Sequence, residues 1–472
     1  MACFIAALVP AGPSLALDLP GLLSTLESLR ARHAVAGFGL AVVKQGQPVY
    51  VGGGGTADRQ SGRAVDGDTL WRIGSVTKVF TGIATLIALR NVDEGLDTPL
   101  RTIVPEAPFV NPWETSDPLR VGHLLEHTAG LSDLSRIEFD STDPKPLSLD
   151  EAFRLDPSSR VLRWPPGRYA SYSNVGAGLA ALAIERLSGE EYESFVASRI
   201  LRPLGMSSAG FRLEGSTEAR LAQGYDSDGV KPLPYWHVLY RAFGGLNADG
   251  RDMARFLQWL LDPSRAPVLS PEEMSQLETP RTTLAARSGL RYGYAKGLYQ
   301  YVHDGFVWMG HGGDADGYLS RLGYRREAGT GYFLVINAFK PQALREMQDA
   351  VETALERGFS RPEPPPVMAV ASSELESMAG CYRTVTRRFT WQDGGDEESL
   401  TVRVQGDHLV TIPATGPERD LWPVTPQHFR RADETVATSA IVRDLDGHLI
   451  LQGDMGNLRR ESGLPDAGGC VP

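Results

Sequence analysis

Lysine is scarce in this sequence: six of its 47 basic residues are lysines, and no run rich in lysine and arginine occurs. Nucleic-acid binding needs a basic face that displaces counterions from phosphates. The formal net charge of -11 has the opposite sign. We therefore expect a small-molecule or peptide substrate and no nucleic acid as partner. Because lysines are so few, each one is a candidate for a specific role.

Long apolar runs are also missing beyond the opening stretch MACFIAALVPAGPSLALDLP, which predicts no integral membrane segment in the mature chain. Within that stretch Ser14–Ala16 resembles a signal-peptidase site. No Lys or Arg precedes the apolar run, so the alternatives are a signal peptide with a truncated start and a loosely packed N-terminus. We interpret residues 1–17 as a signal peptide, which predicts a periplasmic or secreted protein; without a signal it would be cytoplasmic.

Cysteine is rare as well, with three residues in the whole chain. Signal cleavage would remove Cys3 and leave Cys381 and Cys470. These two thiols could pair in an oxidising compartment, or they could be one core and one tail cysteine. The sequence leaves both readings open, and it gives no information on the oligomeric state.

Two familiar enzyme motifs are absent. No serine lies in a G-x-S-x-G pattern, and G-x-x-x-x-G-K-[ST] does not occur. The first absence disfavours an α/β-hydrolase and the second disfavours a P-loop nucleotide enzyme.

The two ends of residues 18–358 mirror each other. A helical pattern in LPGLLSTLESLRARHAV precedes the paired strand patterns of GFGLAVVKQGQPVYVGGGG, and the strand patterns of SRLGYRREAGTGYFLVINAF precede the helical PQALREMQDAVETALERGF. This symmetry predicts an α+β fold in which both ends build one antiparallel sheet. Helices would flank the sheet, and a helical subdomain would be inserted between the two ends.

A change of composition follows residue 358. Residues 359–373 are rich in proline and predict an extended linker. Residues 374–462 alternate apolar and polar positions around Gly-Asp and Asp-Gly turns, which predicts a small all-β domain without helices, followed by a tail at 463–472.

The first candidate catalytic pair is Ser75 and Lys78, in GSVTKVF. On a helix these residues lie one turn apart on one face. A desolvated lysine can lose its proton and act as a base, and a helix N-terminus stabilises developing negative charge on a serine oxygen. For a lone S-x-x-K, an N-cap serine and a lysine that reaches out to solvent are the alternative.

Two further patterns offer polar groups. Tyr172 and Asn174, in ASYSNVGAG, immediately precede a strongly apolar helical pattern. The motif WMGHGGDADG contains His311, Gly312 and Gly313 on a predicted strand, whose glycines allow a ligand or another backbone to approach closely. Each has an ordinary alternative, a core aromatic before a helix and a hairpin turn with a surface histidine.

Taken together and in this order, the three motifs resemble those of the penicillin-recognising serine hydrolases. Segments such as VGHLLEHTAGLSDL, RILRPLGM and AFGGLNADGRDMARFLQWLL extend the resemblance over roughly residues 20–357. Within that family the chain is most similar to class C β-lactamases, D-alanyl-D-alanine carboxypeptidases, D-aminopeptidases and related esterases. Some D-aminopeptidases carry a similar β-rich C-terminal domain.

The resemblance implies a role for each candidate residue. Ser75 would be the acylated nucleophile, and Lys78 and Tyr172 would share its proton, with the identity of the base open. Substrate would be held by Asn174, His311, Gly312 and Gly313, and the backbone N–H groups of Ser75 and Asp314 would form the oxyanion hole. The implied reaction is hydrolysis of an ester, amide or peptide through an acyl-enzyme, without metal or organic cofactor. Because His311 replaces the β-lactamase lysine, we expect weak or absent β-lactamase activity.

Two other functions remain as alternatives. His123 to His127 match the H-x-x-E-H pattern of inverted zinc peptidases, although the helical pattern ends straight after His127 and no third ligand is evident. The second alternative is a non-catalytic sensor or ligand-binding protein that keeps the fold.

Overall fold

The computed structural model describes residues 17–143, 145, 147–213, 215–389, 399–453, 456–461 and 470. The predicted signal peptide therefore lies outside the described residues except for Leu17, and the predicted tail does so except for Cys470. The strands are β1 (Gly37–Lys44), β2 (Gln47–Asp58), β3 (Arg63–Ala64), β4 (Leu70–Arg72), β5 (Asp140–Ser141), β6 (His237–Val238), β7 (Asn247–Asp249), β8 (Tyr299–His303), β9 (Phe306–Ala315), β10 (Tyr318–Arg325), β11 (Thr330–Ile336), β12 (Gly380–Thr384), β13 (Ser399–Gln405), β14 (His408–Pro413), β15 (Arg419–Pro423), β16 (His428–Arg430), β17 (Ser439–Arg443), β18 (Leu449–Gln452) and β19 (Asn457–Arg460).

The α-helices follow the same chain order. They are α1 (Leu19–Arg32), α2 (Thr77–Ala88), α3 (Leu100–Ile103), α4 (Val121–Leu125), α5 (Arg136–Phe139), α6 (Leu149–Ala152), α7 (Asn174–Ser188), α8 (Tyr192–Val196), α9 (Ser216–Arg220), α10 (Gly250–Leu261), α11 (Pro271–Glu278), α12 (Leu284–Arg287), α13 (Pro341–Glu356) and α14 (Ser372–Met378).

One antiparallel sheet is built from both ends of the first domain, in the order β3-β2-β1-β11-β10-β9-β8. β1 pairs with β11, with Phe38 opposite Ile336, so the two chain ends meet in the middle of the sheet. All eight residues of β1 are buried, as expected for a strand covered on both faces. The predicted α+β fold is confirmed.

Helices cover the two faces of this sheet. The terminal helices α1 and α13 pack on one face through residues such as Leu26 and Met347. On the other face lies the larger core, to which α2, α7 and α10 contribute; the ring of Phe80 stacks on that of Phe256 with centroids 4.3 Å apart. The motif residues Ser75 and Asn174 lie at the starts of α2 and α7, so this core fixes their positions.

Strands β12 to β19 close into a barrel, which confirms the predicted all-β C-terminal domain. The sequence did not predict α14, a short helix before the barrel whose Leu375 and Met378 are buried in the barrel core. Cys381 and Cys470 form a disulfide with Cα atoms 5.1 Å apart, which decides between the two readings of these cysteines. Among the described helices, none combines the length and the apolar character needed to cross a membrane.

The barrel packs against the first domain next to the Tyr172 motif. Trp164 and Tyr169 share an apolar cluster with the barrel residues Val442 and Ile450. On the same surface the backbone N–H of Ala170 donates to Asn457 Oδ1 at 3.1 Å. The segment that leads into Tyr172 is therefore held by both domains.

Candidate active site

Ser75 lies in a short 3₁₀ turn, Gly74–Val76, that leads directly into α2. Lys78 Nζ is in hydrogen-bond contact with Ser75 Oγ at 2.9 Å and donates to the carbonyl oxygen of Phe243 at 2.7 Å. Gly74 adopts a left-handed φ of 53° that glycine accepts without strain. The structure thus brings Ser75 and Lys78 together, and Lys78 points inward rather than out to solvent.

Burial controls the charge of Lys78, which is 3% exposed. Desolvation lowers the pKa of its amine well below the usual 10.5, against the opposing influence of the Asp133 carboxylate, while the nearby Arg388 guanidinium lowers it further. The lowered pKa favours the neutral amine. A neutral amine at 2.9 Å from Ser75 Oγ can accept the serine proton.

Tyr172 lies on the other side of the same serine. Burial raises the pKa of its phenol above the usual 10.0, although a hydrogen bond with the Ser75 side chain and the charge of Arg388 act in the opposite direction. The ring packs against the His127 imidazole at a centroid distance of 4.1 Å. Lys78 Nζ lies 5.0 Å from the ring centroid. The phenol is protonated near pH 7, which suits a proton donor or relay better than a base.

Asn174 is anchored by a buried carboxylate that the sequence analysis did not select, Asp133. The Asn174 backbone N–H donates to Asp133 Oδ1 at 2.7 Å, and its side-chain amide donates to Oδ2 at 3.2 Å. Among the described residues Asn174 Oδ1 has no hydrogen-bond partner, and Asn174 lines the cavity beside Ser75. It can accept a hydrogen bond from a substrate amide.

Arg388, from the segment after β12 of the barrel, completes this anchor. Its Nε donates to Asp133 Oδ2 at 2.7 Å, and its backbone carbonyl accepts from the Asp133 N–H at 2.8 Å. The guanidinium carbon lies 4.7 Å from the Tyr172 ring centroid. The C-terminal domain therefore supplies part of the cavity and holds the group that orients Asn174.

The glycines of the third motif allow two backbones to approach closely. A Cβ on Gly313 would lie 2.0 Å from the carbonyl oxygen of Ile73, and one on Gly74 would lie 2.9 Å from the Asp314 nitrogen. Side chains at these positions would push β9 away from the Ser75 turn. Their absence lets the backbone of β9 at Asp314 pack closely against the turn that carries Ser75.

His311 lines the cavity, but both of its ring nitrogens are engaged within the protein. Nε2 accepts from the Tyr294 hydroxyl at 2.7 Å, and Nδ1 donates to the carbonyl oxygen of Gly312. Burial, together with the proximity of Lys78, lowers the pKa of the imidazole to about 3. His311 is therefore neutral across the physiological range and, in this arrangement, shapes the cavity rather than offering a free donor or charge.

These residues surround a cavity of about 570 Å³. Aromatic side chains contributed by distant segments form one wall; Phe139 lies 6.0 Å from Phe243 and 6.3 Å from Phe389 between ring centroids. The lining residues that the sequence analysis missed include Arg72, Phe139, Asp140, Phe243, Tyr294, Tyr299, Asp316, Arg321, Arg388 and Phe389.

The H-x-x-E-H alternative is contradicted by the local geometry. α4 ends at Leu125, and His127 follows in a left-handed conformation with φ of 57°, so the two histidines do not share a helical face. His127 Nδ1 accepts from the Ser173 N–H at 3.2 Å, and the intervening Glu126 forms a buried ion pair with Lys296 at 2.5 Å. In the part of the chain that the structure describes, the side-chain groups that could hold a metal ion do not include these residues.

Chelation provides a test of this correction. We expect the rate of ester or amide hydrolysis after prolonged EDTA treatment and gel filtration to stay within about twofold of the rate of untreated protein. Loss of a catalytic group would lower the rate by roughly 10²- to 10⁴-fold. Zinc content would be measured on the same samples. Stoichiometric zinc whose removal abolishes activity would contradict the prediction.

Comparison with known proteins assigns the family. A family model described as Beta-lactamase matches residues 22–356. The chain belongs to the beta-lactamase family. Members of this family that resemble it include a beta-lactamase from Yersinia enterocolitica, 30% identical over 245 residues, or 52% of this chain and 60% of the relative. A D-aminopeptidase from Cereibacter sphaeroides is 25% identical over 407 residues, or 85% of this chain and 72% of the relative.

A solved structure supports the fold of this beta-lactamase family member. The octameric penicillin-binding protein homologue from Pyrococcus abyssi superposes with a TM-score of 0.60 at 21% identity, covering 94% of this chain and all of that one. The similarity therefore includes the C-terminal domain. At this identity it establishes the shared architecture and leaves the substrate to be argued from the site.

Proposed function

We propose that this protein is a serine hydrolase that cleaves esters, amides or peptides through an acyl-enzyme on Ser75. The observation that carries the proposal is the 2.9 Å contact between Ser75 Oγ and a buried Lys78 whose pKa is lowered by desolvation, which favours the neutral amine. A serine hydroxyl is a weak nucleophile until an adjacent base takes its proton. The similarity to a D-aminopeptidase over 85% of the chain supports hydrolysis of small amides or peptides.

Acylation follows from the proton positions. Lys78 accepts the Ser75 proton as Oγ attacks the substrate carbonyl, and the negative charge that develops on the carbonyl oxygen is stabilised by the N–H groups of Ser75 and Asp314. Tyr172, still protonated, donates its proton to the leaving group and regains one from Lys78. The products of this step are a Ser75 ester and a protonated leaving group.

Deacylation uses the same groups in reverse. Water loses a proton through Tyr172 and Lys78 as its oxygen attacks the Ser75 ester, and the proton then returns to Ser75 Oγ as the ester bond breaks. Asn174 Oδ1 accepts a hydrogen bond from an amide on the acyl side, because Asp133 already holds the Asn174 side-chain N–H. No step requires a metal or an organic cofactor.

Weak or absent β-lactamase activity follows from the environment of His311. A lysine at this position would present a cation to the carboxylate of a β-lactam, whereas the imidazole is uncharged and both its nitrogens are occupied. Neutral substrates, or amides with a free amine, meet no unfavourable charge there.

A substrate panel tests the proposal. We expect wild-type protein to hydrolyse a short-chain p-nitrophenyl ester or a D-amino acid amide with a kcat/KM at least about tenfold above that for a chromogenic cephalosporin (about 1.4 kcal/mol of transition-state stabilisation). His311→Lys should lower the ratio of these two kcat/KM values, because the lysine would attract the cephalosporin carboxylate. Because the lowered pKa keeps His311 neutral from pH 5.5 to 8, its titration should not change the ratio in this range. Efficient cephalosporin turnover by wild type that His311→Lys leaves unchanged would contradict the proposed selectivity.

We also propose that the protein is exported to the periplasm or secreted and acts on small-molecule or peptide substrates there. The Cys381–Cys470 disulfide supports an oxidising compartment, where such bonds persist. Mass analysis of protein isolated from its source, without reduction, would show whether the disulfide is formed and whether the N-terminal segment is cleaved. A free thiol pair and an intact N-terminus would argue against export.

A further inference from the structure

The cavity contains a second polar cluster, Arg72, Asp140 and Asp316, that plays no part in the reaction described above. Arg72 ends β4, three residues before Ser75, and Asp316 follows Asp314 by two residues at the end of β9. Asp140 begins β5, and its carboxyl group lies near that of Asp316 and near the Arg72 guanidinium. All three residues line the same cavity as Ser75.

Arg72 has an unmatched donor. Its side chain is 2% exposed, and its guanidinium carbon lies 4.9 Å from the Tyr235 ring centroid. Within the part of the chain that the structure describes, its Nη1 has no hydrogen-bond partner. Leaving a buried guanidinium N–H unpaired is costly, because the group has lost its water and gained nothing in return. An acceptor supplied by a ligand would remove that cost.

The carboxyl groups of Asp140 and Asp316 lie close to each other. Burial and the charge of Asp316 raise the pKa of Asp140 to about 6, against the opposing charge of Arg72. Both residues line the cavity, where carboxyl oxygens can accept hydrogen bonds. The pair and Arg72 thus present acceptors and a donor within one region of the wall.

A charged ligand group would satisfy only half of this arrangement. An ammonium would suit the carboxyl pair but would lie beside the Arg72 guanidinium, and a carboxylate would suit Arg72 but would lie beside the carboxyl pair. A neutral amide matches both, because its carbonyl oxygen accepts and its N–H donates.

We propose that Arg72, Asp140 and Asp316 form a subsite for a peptide group in the acyl part of the substrate, whose carbonyl oxygen accepts from Arg72 and whose N–H donates to the carboxyl pair. This inference rests on the proposed function, since it places that amide relative to the carbonyl attacked by Ser75. The substrate class that this subsite favours is therefore one whose acyl part carries a peptide group.

Binding to Ser75→Ala protein tests the subsite without requiring turnover. The ligands are p-nitrophenyl esters of one dipeptide-length acyl chain whose far end carries an acetamido group, an ammonium, a carboxylate or an alkyl group of similar size. Kd is measured by calorimetry for each ester. We expect the acetamido ester to bind best, by roughly tenfold over the alkyl ester, as expected for hydrogen bonds to charged groups.

Substitutions in the same background locate the effect. Asp316→Ala should remove most of the acetamido preference, while Asp143→Ala, an exposed acidic residue of the neighbouring loop that does not line the cavity, should keep it. Arg72→Met should also remove most of the acetamido preference. Because Asp316 is exposed, Asp316→Ala gives the test without replacing a buried arginine.

The outcomes separate the two proposals. Equal or tighter binding of the alkyl or a charged ester, or an acetamido preference that survives Asp316→Ala, would overturn the subsite even if wild type hydrolyses esters. An acetamido preference that Asp316→Ala abolishes would support the subsite. If wild type hydrolyses none of the four esters, that lack of hydrolysis would contradict the proposed function and not the subsite.

Discussion

Replacing Lys78 with methionine should lower the rate of Ser75 acylation by roughly 10²- to 10⁴-fold, the usual contribution of a general base. Methionine fills a similar volume but cannot take the Ser75 proton, and no other group with a lowered pKa contacts Ser75 Oγ among the described residues. The rate would be measured as kcat/KM on the best ester or amide of the panel. Ser75→Ala should be equally inactive, and the double variant hardly worse, because residues that act as one unit give non-additive losses.

Lys231→Met is the matched control, since Lys231 is a surface lysine paired with Asp226 at 3.5 Å. It should retain full activity.

The Lys78→Met protein should also unfold cooperatively. Because the folded-state pKa of Lys78 is lowered, the unfolded chain binds a proton that the folded chain does not, so wild-type stability rises with pH toward 10.5. Any stability advantage of Lys78→Met should therefore shrink as the pH rises toward 10.5, and near-normal turnover by this variant would contradict the mechanism.

A chain that ends at Phe359 should fold, less stably than the full chain, and lose at least about tenfold in kcat/KM. Removing the barrel exposes Trp164 and Tyr169 and takes away Arg388, which holds Asp133 and through it Asn174. It also removes Phe389 from the cavity wall. Circular dichroism melting and the ester assay measure the two effects separately.

Point substitutions isolate the contribution of Arg388 without truncation. Arg388→Ala should reproduce much of the loss of activity while keeping the barrel in place. Arg403→Ala, which removes an exposed barrel arginine paired with Glu418 at 3.1 Å, should be neutral. Full activity in both the shortened chain and Arg388→Ala would contradict a role of the C-terminal domain in the site, and melting without cooperativity would show that the barrel belongs to the same folding unit.

The sequence alone predicts those parts of the site that depend on local spacing. Ser75 and Lys78 are three residues apart at the start of an apolar helix, so a helical turn is enough to bring them together. The central sheet is also predictable, because the strand and helix patterns at the two ends of the domain are similar. By contrast, the roles of Tyr172 and His311 could be proposed only from the resemblance to a known family.

Groups that meet through tertiary contacts were missed. Asp133 and Arg388 are 255 residues apart, and no local pattern marks either of them as part of an active site. The hydrogen bond between Tyr294 and His311 likewise depends on how two separate segments pack. The H-x-x-E-H hypothesis failed for a local reason, since α4 ends at Leu125 and takes His127 off the helical face.

Covalent labelling of Ser75 tests the central claim most directly. Wild-type protein would be treated with a fluorophosphonate and analysed by intact mass and peptide mapping, beside Ser75→Ala and Lys78→Met. The account predicts one adduct per chain on Ser75 in wild type, none in Ser75→Ala, and much slower labelling of Lys78→Met. Ester hydrolysis that survives in Ser75→Ala, or an adduct on another residue, would contradict it, and wild-type protein with neither labelling nor hydrolysis would be a ligand-binding protein rather than an enzyme.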